Sequence, residues 1–137
     1  MQRVTGWLLA AVFSLTTAVQ AMTAADLTAE RYQQFKQPGL DKPQLQYSDI
    51  APALMQHQQN PLFRFHQLGQ SVLANPLWQI DIGTGPVKVL AWSQMHGDEP
   101  TATAALMDLL NLLAAGQQAG WLNSWRDKIT LRLIPML

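Results

Sequence analysis

The most restrictive feature of the sequence is a strand–helix–strand succession in its second half. Val87–Trp92 is almost continuously apolar, broken only by Lys88, the pattern of a strand in the interior of a sheet. Residues 101–115 carry Ala102, Ala105, Leu106, Leu109, Leu110 and Leu113 on an apolar helical face. Pro100 suits the first helical position and Gly116 the C-terminal cap. Ile129–Ile134 is again an apolar strand. Strands joined through a helix of this length pair in parallel, because the crossover needs a dozen or more residues and packs back on the sheet in one hand. The chain is therefore expected to be α/β with a mixed sheet.

Upstream, residues 77–82 alternate, with Trp78, Ile80 and Ile82 on one face, and Gly83-Thr84-Gly85-Pro86 follows as a turn. This predicts an antiparallel hairpin between residues 77–82 and Val87–Trp92. Residues 22–67 are rich in glutamine and poor in long apolar runs. A short helix over residues 24–35 would put Leu27, Arg31 and Phe35 on one face and stop at Pro38-Gly39. A second helix would start from Ser48 or Asp49 as cap, with Pro52 in its first turn, Leu54 and Met55 facing inward, and Asn60-Pro61 at its end. This segment reads as a pro-segment or as a helical cover for the sheet.

The first 21 residues have the features of a signal peptide: Arg3, an uncharged apolar stretch to Val19, and a Val19-Gln20-Ala21 boundary. A short membrane anchor is the alternative, but the boundary and the polar sequence after it favour cleavage and a mature protein without a membrane anchor. The expected location is periplasmic or secreted. The divisions are thus 1–21, 22–67 and 68–137. Ile129–Ile134 runs straight into Pro135-Met136-Leu137, which is unusual for a complete domain, so residues 68–137 are expected to be the N-terminal part of a larger one.

Composition removes several classes of function. Hydrophobic residues make up 48% of the 137 and charged residues 13%, with nine basic and nine acidic side chains, so neither disorder nor a nucleic-acid partner is indicated. The absence of cysteine rules out a disulfide framework, a cysteine nucleophile and a thiolate metal site. Core packing is the default for Trp78 and Trp92 in the strands.

The chemistry is concentrated in His96-Gly97-Asp98-Glu99, between the end of a strand and the start of a helix. Imidazole and carboxylate are both zinc donors, and a His and a Glu three residues apart across such a corner can converge on one point. Glu99 is expected to gain from the helix dipole, and Gly97 to let the backbone turn sharply or approach a substrate closely. His57 and His66 stand in other contexts and read as structural or solvated, Asp98 as a loop residue and Asp108 as an exposed helix position.

The segment Val89-Leu90-Ala91-Trp92-Ser93-Gln94-Met95-His96-Gly97-Asp98-Glu99-Pro100-Thr101 resembles the first zinc-ligand segment of the zinc carboxypeptidases, the carboxypeptidase A-like family. Leu68-Gly69-Gln70-Ser71-Val72 and the hairpin after it resemble that family's opening strands. Leu131-Arg132-Leu133-Ile134-Pro135-Met136 resembles the strand leading to its Asn-Pro-Asp-Gly turn. One departure is Ala74-Asn75, where many members have Gly-Arg. The resemblance implies a mixed-sheet carboxypeptidase fold, a Zn2+ cofactor, and His96 and Glu99 as two of its three protein ligands. It implies a peptide or peptidoglycan stem-peptide substrate. The third ligand, the glutamate general base and the arginines that grip the substrate carboxylate would lie beyond Leu137, so no catalytic residue is expected here and residues 1–137 alone should be inactive. Two other readings stay open: a zinc amidohydrolase or deacylase of the same superfamily, and a non-catalytic exported α/β module.

Overall fold

The computed structural model describes residues 29–137, so the expected leader lies outside the described residues. Two helices come first, α1 (Ala29–Gln33) and α2 (Tyr47–Gln58). Strands β1 (Arg64–Gln70), β2 (Pro76–Ile82) and β3 (Val87–Trp92) follow, then α3 (Thr101–Ala119), a 3-10 turn (Trp121–Ser124) and β4 (Ile129–Ile134). The strands form one mixed sheet in the order β1-β2-β4-β3. Strands β3 and β4 are parallel and joined by α3, the crossover that the apolar pattern predicts. The fold is α/β, with an antiparallel hairpin ahead of a strand–helix–strand unit.

The hairpin is not the expected one. It joins β1 to β2, while β2 and β3 are separated by β4, which pairs antiparallel with β2 at Ile80–Leu133, Asp81–Arg132 and Ile82–Leu131. The glycines between β2 and β3 serve close approach rather than a hairpin turn. Thr84 N donates to Arg126 O at 2.7 Å, Gly85 N to Ile129 O at 3.3 Å and Val87 N to Lys128 O at 3.2 Å, so residues 84–87 clasp the entry to β4. A Cβ on Gly85 would fall inside the Lys128 backbone, and Gly83 has a φ of 82°. Strand β3 is consequently an outer strand among the described residues. Val87, Val89, Leu90 and Trp92 are each 42–57% exposed, contrary to the interior position that their apolarity suggested.

One face of the sheet carries Ile80, Ile82 and Leu133, which share a core with Met107, Leu110 and Leu113 of α3 and Ile50 and Leu54 of α2. Helix α2 begins earlier than expected, at Tyr47; Asp49 accepts the Gln46 N–H at 2.9 Å as part of a capping box, which moves Pro52 into the second turn. Leu54 is buried, but Met55 is exposed. Helix α3 runs past Gly116 to Ala119, and Gly120, at φ 78°, is its cap. Gly116 instead lies inside the helix, where a Cβ would strike the Trp121 ring. The buried face of α3 holds Thr103 and Met107 with Leu110 and Leu113, whereas Ala102 and Ala105 are exposed. Apolar residues surround this helix on most sides, so spacing alone did not fix the face.

Asp108 is buried rather than exposed. It accepts from Tyr32 Oη at 2.5 Å and from Gln37 N at 2.6 Å, and thereby ties α1 and the segment after it to α3. Asn111 adds a bond from Nδ2 to Phe35 O at 3.0 Å, and Trp78 Nε1 donates to Tyr47 Oη at 3.2 Å.

Candidate metal centre

The corner between β3 and α3 is built from the backbone upward. Ser93 N donates to Ile134 O at 3.1 Å, which carries the parallel ladder one residue beyond β3. At Gln94 the chain turns with a φ of 52°, a left-handed conformation uncommon for a residue with a side chain. Residues 95–99 are exposed, Glu99 N donates to His96 O at 3.2 Å, and Pro100 caps α3. The turn brings His96 Nδ1 within 3.4 Å of Glu99 Oε2. Both side chains face solvent, at 64% and 69% exposure, and can be reached by an ion.

That separation fits a shared zinc. Two donors, each about 2.0–2.1 Å from a tetrahedral zinc, stand about 3.3 Å apart. The imidazole and carboxylate are of the right chemical kind as well. Among the described residues no group of three or more His, Asp or Glu side chains could hold a metal, so His96 and Glu99 meet as a pair without a third such side chain. Asp98 is exposed in the same loop. His57 is buried edge-on against Phe63, with ring centroids 5.1 Å apart, and His66 is exposed on β1.

Two local expectations are corrected. Gly97 has open space where a Cβ would stand and is not among the positive-φ glycines, so the sharp turn belongs to Gln94. Glu99 precedes the cap rather than standing in the first turn of α3, beyond the strongest part of the helix dipole. A polar network that the residue pattern does not announce lies beneath the loop. Gln94 and Thr103 are buried there, with Thr103 Oγ1 2.8 Å from Gln94 Oε1 and 2.9 Å from Ser93 Oγ. Nothing in residue spacing marks a glutamine for a left-handed turn, and Thr103 is one of several polar residues on α3, so its burial had no signal in the sequence.

The fold is similar to that of a metallo-carboxypeptidase from Burkholderia cenocepacia known from its crystal structure, with a TM-score of 0.60 and 22% sequence identity. The match covers 68% of this chain and 27% of that one, so the chain spans about a quarter of the carboxypeptidase's length. No family model and no curated protein matches the sequence. The likeness establishes a carboxypeptidase-like fold.

Proposed function

We propose that this chain is the N-terminal part of an exported zinc-dependent carboxypeptidase, in which His96 and Glu99 are two of the metal's protein ligands. The observation that carries the reading is the 3.4 Å convergence of His96 Nδ1 and Glu99 Oε2 at the strand-to-helix corner of a carboxypeptidase-like fold. Bound zinc would supply a Lewis acid and a water with its pKa lowered to about 7. Within this chain, the corner holds the imidazole and the carboxylate on one side of an open, solvent-reached space. The third ligand, a general base and the groups that grip a substrate's terminal carboxylate are assigned to residues outside this stretch. The substrate class is a peptide, or a peptidoglycan stem peptide, with a free C-terminus.

The test uses the protein from its native source. Intact mass, zinc content and release of C-terminal amino acids from blocked dipeptides are measured together. The expected result is a mass well above 15.3 kDa, stoichiometric zinc and a chelator-sensitive rate. His96→Ala and Glu99→Gln should each remove most of the zinc. Residues 1–137 produced alone should bind zinc weakly and show no peptidase activity, because catalytic zinc sites use about three protein ligands. A native protein that takes up no zinc, and releases no amino acid when zinc is supplied, would sink the reading.

A further inference from the structure

We infer that Gln94 is a positioning residue: its buried side-chain amide clamps the loop that presents His96 and Glu99, and fastens that loop to α3 and to the segment preceding α2. This rests on the proposed zinc corner for its functional meaning, but the clamp itself stands on separate geometry.

The amide is used on both sides. Gln94 Nε2 donates to Leu45 O at 2.7 Å and to Gly97 O at 3.0 Å. Two carbonyl acceptors fix the orientation of the amide, since only its NH2 group can donate to them. Gln94 Oε1 in turn faces the Thr103 hydroxyl at 2.8 Å and can only accept, so the single Thr103 proton is committed to it. The Ser93 hydroxyl must then donate to Thr103 Oγ1 at 2.9 Å, while Ser93 Oγ accepts from Met136 N at 3.2 Å. The result is a directed chain of hydrogen bonds from the end of β4 to the carbonyl in the middle of the His-x-x-Glu turn. Thr103 is completely buried and Gln94 is 8% exposed, so the bonds to Leu45 O, Thr103 and Ser93 are shielded from water, and the Gly97 O bond is held from the buried side.

The backbone supports the same conclusion. A non-glycine residue keeps a φ of 52° only where its surroundings over-determine it, and at Gln94 the over-determination comes from the amide contacts. His96 and Glu99 project into solvent and are not fixed by packing, so their relative position depends on the backbone between them. Gly97 O, which Gln94 grips, belongs to that backbone. A partner that orients metal ligands from outside the coordination sphere commonly changes metal affinity by about 10–100-fold.

The experiment uses the chain free of metal and then titrated with Zn2+. Gln94→Gly removes the amide but tolerates the left-handed backbone, Thr103→Val removes only the hydroxyl donor, and Thr103→Ser restores it. Amide relaxation of residues 95–99 is measured first; Gln94→Gly should lower their order parameters from about 0.85 to below about 0.6, with the rest of the sheet unchanged. Zinc titration read at the His96 ring signals should then show an affinity about 10-fold weaker in Gln94→Gly and Thr103→Val, with Thr103→Ser close to the original chain. Unchanged loop relaxation in Gln94→Gly, or equal zinc affinity in all four proteins, overturns the inference. If the His96 signals never respond to zinc while the loop loosens in Gln94→Gly, the zinc assignment fails and the clamp stands.

Discussion

His57, near the C-terminal end of α2, is buried against Phe63, and burial holds its pKa below the usual value of 6.5; a hydrogen bond with Asn111 opposes the shift in smaller measure. The unfolded chain therefore takes up this proton before the folded one does. The stability that His57 contributes is complete above pH 6.5 and is lost as the pH falls through the lower folded value. Urea midpoints measured from about pH 8 down to about pH 5 should fall in the original chain and fall less in His57→Phe, which keeps a ring beside Phe63 without a titrating group. An identical pH slope in both would show that other groups carry the effect. At this scale the sequence was partly legible. The type and spacing of His96 and Glu99 pointed to one site, because imidazole and carboxylate chemistry is intrinsic to the residues. Gln94, Thr103 and Asp108 were not legible, because their roles depend on partners such as Leu45 O, Ser93 and Tyr32, which lie far away or across an element boundary.

Among the elements, Gly85 marks the difference between a correct strand and a correct neighbour. Residues 77–82 and Val87–Trp92 were both recognisable as strands from alternation and apolar content, and both are. Whether a glycine turn closes a hairpin or lets two strands part is decided by what enters the gap, and here that is β4, some forty residues on. Gly85→Ala should accordingly cost about 1–3 kcal/mol, the scale of an overpacked site, because its Cβ would displace the Lys128 backbone and loosen the clasp on β4. Guanidinium midpoints should shift with little change in slope. Gly97→Ala, where the space is open, serves as the control and should leave stability nearly unchanged. A Gly85→Ala protein as stable as Gly97→Ala would contradict the close approach.

The molecule as a whole draws its core from both halves of the sequence. Leu40, Leu45, Ile50 and Leu54 precede the sheet yet are at most 6% exposed and share a cluster with Ile80, Leu110 and Leu133. Their burial represents roughly 6–12 kcal/mol, at about 1.5–3 kcal/mol for each side chain. That is comparable to the whole stability of an ordinary domain, about 5–15 kcal/mol. Removing the chain up to Gln58 should therefore unfold the sheet, seen as loss of near-ultraviolet circular dichroism. Retention of a folded remainder would favour a separable pro-segment over a cover. Glutamine-rich composition left that choice open, because a few well-placed leucines and one isoleucine outweigh the polar residues between them.

The strand order has one more consequence, for the route to the folded state. Strand β4 lies between β2 and β3, yet it is the last of the four along the chain. The β1–β2 hairpin can form early, from local contacts. Strand β3 has no place in the sheet until β4 arrives, because among the described residues β4 is what joins it to the hairpin. During synthesis from the N-terminus, β3 must wait unpaired until residue 134 has emerged, while α3 already has α2 and β2 to pack against. Folding of this unit is thus held open by its final strand, which closes the sheet from the inside.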